Sequence, residues 1–273
     1  GMDLYYPMLS SANFGILRMR AFKIIFIFAF LGFWLGFSSP AWSLSEYSKL
    51  RIPQIRYAGG NDNPRPEAIE SLLAQMSKRT SVEVKREFVG LRVGDPGLFQ
   101  YPLLYMAGNA PFKPFPAEDI RILRNHLSYG GFLLIDDNSG IKDSGFDVSV
   151  RRMISELFPG TPLENISKDH SIFRSFYLLN QAAGRADVSP FLEGIAIKGR
   201  TVLAYSVNDL GGAWSRNKIG HWNYDITGGG ESRRTQSVRL GVNIVMYALT
   251  LDYKKDMVHL PIILERLRRH GAP

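Results

Sequence analysis

The residues able to do chemistry in this chain are mostly acidic, and they come in pairs. Asp136 and Asp137 stand side by side after the apolar stretch 132–135. Two carboxylates at one place can hold a cation through oxygen ligands, or divide acid and base roles once crowding separates their pKa values. The competing reading is structural, with Asp136 capping a turn and Asp137 facing solvent. Consecutive strand residues point to opposite faces, so one site for both requires the strand to end between them. Asp169 and His170 lie in an irregular stretch after Pro162. His170 can act as base, ligand or pH-sensitive contact, and it can equally sit buried against a backbone group.

Asn208 and Asp209, with Gly211-Gly212 behind them, suit a turn. They open a loop, residues 207–231, that also holds Trp214, Arg216, His221, Trp222 and Tyr224. Aromatic side chains mixed with arginine are the usual make-up of a binding surface. Gly59, Gly60 and Asn61 can offer backbone amides to an anion, and Asn109 ends a second strand-like segment. The chain has no cysteine, which removes thiol catalysis and thiolate metal sites. Ser139 stands in Asn138-Ser139-Gly140, which is not a nucleophile elbow. No zinc spacing, phosphate loop or dinucleotide fingerprint is present, so neither a metal nor a cofactor is expected.

Alternating strand and helix patterns must position these groups. Residues 52–58 and 82–89 alternate as strands, 102–106 reads as a short buried strand, and 132–135 as a central one. A helix opens at Pro66 with Ile69, Leu72, Leu73 and Met76 on one face. A second opens at Pro116 with Ile120, Leu123 and Leu127, and Gly130-Gly131 stops it. Further helices are expected over 148–158, 236–249 and 261–269. Residues 192–197 and 201–207 flank Lys198-Gly199-Arg200 and form a hairpin. Strands alternating with helices predict a mostly parallel sheet between helical layers, with any ligand at the strand-end rim. The loop 207–231 far exceeds the usual connection, which is about 4–6 residues.

The first 43 residues differ from the rest. Arg18, Arg20 and Lys23 precede the apolar run 24–37, and Ala41-Trp42-Ser43 follows. That order is expected to be a secretory signal, with Gly1 a tag residue and Met19 the true start. An uncleaved N-terminal anchor, and through it membrane contact, is the alternative. Residues 44–273 then form a single α/β domain carrying 30 basic against 24 acidic residues. The excess positive charge favours anionic partners, yet no block of five like charges occurs, and nucleic acid is not an expected partner.

Several strings in one order resemble the bacterial family called domain of unknown function 4159. They are Tyr57-Ala-Gly-Gly-Asn-Asp-Asn-Pro-Arg-Pro66, Arg79-Thr-Ser81, Tyr101-Pro-Leu-Leu-Tyr105 and Gly130-Gly-Phe-Leu-Leu-Ile-Asp-Asp137. Asp169-His170-Ser-Ile-Phe173, Leu192-Glu-Gly-Ile195, Tyr205-Ser-Val-Asn-Asp-Leu210 and Arg239-Leu-Gly-Val-Asn-Ile-Val245 complete the set. The resemblance implies a three-layer sandwich similar to flavodoxin and to class I glutamine amidotransferases, in exported or membrane-anchored proteins, with no established reaction. Many relatives place a cysteine just after the paired aspartates, where this chain has Asn138 and Ser139. Cysteine chemistry and glutaminase activity are therefore not expected.

Two functions stand as expectations. The first is a non-catalytic binding domain outside the cytoplasm, taking a small ligand or an envelope protein at a rim of Gly59, Asn109, Asp136, Asp137 and Asp209. The second is a hydrolase using Asp136 or Asp137 with His170. Convergence of a carboxylate and a histidine in one deep cleft would favour the second.

Overall fold

The computed structural model describes residues 49–270, so the expected signal segment 1–43 lies outside the described residues. Buried apolar runs make the central strands. Strand β3 (Leu103–Gly108) and strand β4 (Phe132–Asp137) are buried at every position, as strands covered on both faces must be. They pair in parallel from Leu103 opposite Phe132 to Gly108 opposite Asp137. On the far side of β4, strand β7 (Arg200–Ser206) also runs parallel, with Asp136 opposite Ser206.

Strand β1 (Gln54–Ile55) and strand β2 (Gly90–Leu91) extend the parallel sheet beyond β3. Strand β6 (Glu193–Ile197) and strand β5 (Glu164–Asn165) extend it antiparallel beyond β7. The order is β2-β1-β3-β4-β7-β6-β5. The 192–207 hairpin is the β6–β7 pair.

Helices cover both faces. Helix α1 (Ala68–Arg79), helix α4 (Leu210–Trp214) and helix α5 (Gly230–His270) pack together on one side. Their apolar positions join Tyr105, Ala107, Leu134 and Ala204 in one core. Helix α2 (Ala117–Ser128) and helix α3 (Gly145–Leu157) cover the other face over Leu104, Met106, Leu133 and Ile135. Each fully buried leucine contributes roughly 1.5–3 kcal/mol, so these two clusters hold the layers together.

Four expectations need correction. Residues 82–89 form no strand: Val84 makes one isolated bridge to Leu50, and Val82 and Val84 pack on the helical core instead. The alternation there reports packing rather than a ladder, and pairing begins only at Gly90. The strand expected over 52–58 pairs only at Gln54–Ile55, and Pro53, with no N–H to donate, bounds it on its N-terminal side. Residues 236–249 and 261–269 belong to one helix, α5, rather than two. Finally, the 207–231 segment is not irregular throughout, since α4 forms at its start.

Candidate functional site

Strand β4 does not end between its two aspartates, so they face opposite ways. Asp136 turns to the α1–α4–α5 side and is wholly buried. Its Oδ1 accepts the Leu210 amide at 2.8 Å, and its Oδ2 accepts the Gly211 amide at 2.7 Å. Tyr105 Oη donates to Oδ2 at 2.8 Å, and Asn138 Nδ2 donates to it at 2.7 Å. Burial, and then the nearby Asp209 carboxylate, push Asp136 up to about 7 against these donors. Asp137 turns to the other face, where Ser144 Oγ donates to it at 2.5 Å and the Ser139 amide at 2.8 Å. Ser144 in turn accepts the Asp147 amide and caps α3. Burial raises Asp137 as well.

Asp209 adopts a left-handed backbone, φ 54° and ψ 65°, and its side chain accepts the Gly212 amide as the N-cap of α4. Arg65 grips the carboxylate with two bonds, Nη2 to Oδ2 at 2.6 Å and Nε to Oδ1 at 3.1 Å. Arg185 pairs with the same Oδ2. Asn138 Nδ2 also donates to Asp209 Oδ1 at 3.0 Å, tying the two carboxylates together. Asn208, equally buried, accepts the Val188 and Ser189 amides and donates to the Ala182 and Ser189 carbonyls. These bonds hold loops and helix ends to the sheet, while the buried Asn138 Oδ1 accepts no hydrogen bond among the described residues.

His170 lies elsewhere. Its Nδ1 accepts the Ile172 amide at 3.1 Å, and its Nε2 is 3.0 Å from Thr201 Oγ1. Thr201 is the second residue of β7, whereas Asp136 pairs at Ser206, its last. Five residues of strand separate them by about 16 Å. Burial lowers the His170 pKa. Among the described residues no histidine reaches either aspartate, and the pairing of His170 with Asp136 or Asp137 that the hydrolase alternative needs is not formed. Ser139 Oγ bonds the Ile141 backbone and lies within reach of the Asp137 carboxylate. Among the described residues no cluster of three or more metal-ligating side chains forms.

The aromatic loop folds inward. Trp214 is 1% exposed and its Nε1 donates to the Ser237 carbonyl at 2.9 Å. It is core rather than the exposed rim residue expected, because α4 turns it under α5. Trp222 is half-buried, with the guanidinium carbons of Arg216 and Arg234 at 3.5 and 4.3 Å from its ring centre. Arg65 stacks on Tyr224 at 4.0 Å. Of the expected rim, Gly59, Gly60, Asn61 and Asn109 are exposed, while Asp136, Asp137, Asn208 and Asp209 are buried. Gly59 and Gly60 have φ of 76° and 65°, and a side chain on Gly60 would lie 2.8 Å from the Pro111 carbonyl.

Beside those glycines the strand ends leave a cleft of about 450 Å³. It is lined by Arg56, Tyr57 and Ala58 after β1, Arg92 after β2, Lys113 and Phe115 between β3 and α2, and Asp119 in the first turn of α2. Tyr57 Oη lies 2.8 Å from the Ala107 carbonyl, to which it donates, and burial raises its pKa. Its ring packs on Phe112 and Phe115. Arg56 is paired with Asp62 at 2.7 Å. Arg92 and Lys113 are exposed and make no ion pair among the described residues. Sequence reading missed all of these except Tyr57, which it quoted without assigning a role. The proline- and aromatic-bearing string Lys113-Pro114-Phe115-Pro116 after a strand was the available signal.

The fold and this rim define a mostly parallel α/β sandwich whose strand-end acids are structural. The family model for Domain of unknown function (DUF4159) matches residues 51–249, and the chain belongs to that family. A search of curated proteins finds no match.

Proposed function

We propose that the protein is a non-catalytic binding domain of the bacterial envelope, and that its ligand is a small anion carrying an apolar or aromatic group. The observation that carries the reading is the cleft at the C-terminal ends of β1 and β3, where Arg92 and Lys113, which form no ion pair among the described residues, stand beside Tyr57 and Phe115. The chain passes outward from β1 to β2 and then returns to β3. Crevices at such reversals are where doubly wound sheets take ligands. The order of the five parallel strands, β2-β1-β3-β4-β7, supports a flavodoxin-like or amidotransferase-like sandwich. The charged, apolar and small-residue order of residues 18–43 supports export. Phenyl phosphate and inorganic phosphate, titrated against the protein by NMR, test the ligand class. The reading expects tighter binding of phenyl phosphate, lost in the double variant Arg92→Glu, Lys113→Glu. Equal binding of the two probes, or no effect of the double variant, refutes it.

A further inference from the structure

The loop between His170 and Asn180 presents apolar side chains to water from a backbone that is firmly held. Leu178 is 85% exposed and Phe176 44%. Wholly buried Asn243 of α5 fixes the loop, since its Oδ1 accepts the amides of Phe176 and Tyr177 and its Nδ2 donates to the Tyr177 carbonyl. The Leu179 amide adds a bond to the Phe173 carbonyl. The knuckle is therefore pre-organised, and little ordering entropy remains to be lost on docking.

Two arginines attend it. Arg79 Nη1 donates to Tyr177 Oη at 3.3 Å, and the Arg239 guanidinium carbon lies 5.2 Å from the Tyr177 ring centre. Both arginines are exposed, and neither makes an ion pair among the described residues. Arg174, nearby in sequence, is neutralised by Asp169. A leucine this exposed has no groove around it, so a partner must enclose it rather than be enclosed. An interface rich in acyl chains under anionic headgroups does so without shape complementarity, and arginine stems suit that boundary.

We propose that the Phe176–Leu178 knuckle, with Arg79 and Arg239, docks the domain on an anionic lipid surface. The contact is independent of the cleft and of how that cleft is used. Because the chain lacks cysteine, Leu178→Cys gives a unique attachment point for an environment-sensitive fluorophore on the full chain. Ile219→Cys, at a site 78% exposed on the 207–231 loop, serves as the comparison position. With phosphatidylcholine vesicles containing phosphatidylglycerol, the probe at 178 is expected to shift to shorter wavelength and be quenched from within the bilayer, while that at 219 stays in water. Reading position rather than bound fraction separates the knuckle from any membrane contact by the N-terminal segment. Replacing Arg79 and Arg239 by serine is expected to weaken the shift by about twenty-five-fold in lipid concentration, from about fivefold per arginine near an anionic surface. Thermal unfolding of each variant checks that the fold persists. A probe at 178 that stays in water, or responds equally to pure phosphatidylcholine, overturns the proposal.

Discussion

The acidic cluster around Asp136 and Asp209 and the cleft beside Tyr57 sit on the same rim of the sheet, yet they differ in how their charges are met. In the cluster, Asp209 has two guanidinium partners and a backbone amide, and Asp136 has four donors. In the cleft, Arg92 and Lys113 have no ion-pair partner among the described residues. A buried charge must be paired to exist at all, so dense pairing marks architecture. An unpaired charge is affordable only near water, where it remains open to a ligand.

The largest expected effect is on the cluster. Asp209→Ala strands Arg65 and Arg185, whose side chains are 14% and 20% exposed, and should lower stability by about 3–5 kcal/mol in urea unfolding. A loss below about 1 kcal/mol would put these ion pairs in the surface class and erase the contrast. Next comes the loop that the cluster anchors. Trp214→Ala should lose about 3–5 kcal/mol as a core truncation. Trp222→Ala, half-buried under two guanidinium groups, should lose roughly 2 kcal/mol. Equal losses at the two tryptophans would mean that the whole loop is core.

A pH titration sharpens the comparison further. Asp136 is raised in the folded state, so the fold binds more protons than the unfolded chain between the ordinary carboxylate value and about 7. Its contribution to stability is full at low pH and is lost as pH rises through about 7. Asp137 shifts in the same direction, and His170, lowered by burial, in the opposite one. The difference in unfolding midpoint between wild type and Asp136→Asn isolates the Asp136 part. It should fall by roughly 1.4 kcal/mol per pH unit between the ordinary carboxylate range and about 7, and level off above about 7. A difference independent of pH would show that Asp136 stays ionised throughout. The smallest stability effect belongs to the cleft, where Arg92→Glu or Lys113→Glu should alter unfolding by less than about 0.5 kcal/mol. A larger loss would reveal a hidden structural partner.

Much of the scaffold was legible because periodicity is a local property. The helix faces of Ile69, Leu72, Leu73 and Met76, and of Ile120, Leu123 and Leu127, are buried as their spacing requires. Buried β4 and the β6–β7 hairpin follow from an apolar run and a Lys198-Gly199-Arg200 turn. The alternation of Val82 and Val84 misled because half-burial against a helix and half-burial in a sheet produce the same pattern. The candidate site was legible only as a set of residue types.

The sequence by itself determined the layers, the absence of thiol chemistry and the placement of Asp136, Asp137 and Asp209 at strand ends, since these depend on composition and short-range spacing. Only the tertiary structure decided that the aspartates are buried supports, that His170 stands at the other end of the sheet, and that Arg92 and Lys113 meet beside Tyr57. Those facts depend on contacts between residues tens of positions apart, such as Arg65 with Asp209. The partner that neutralises a charge, and the water that reaches it, are set by the packed fold and not by neighbours along the chain.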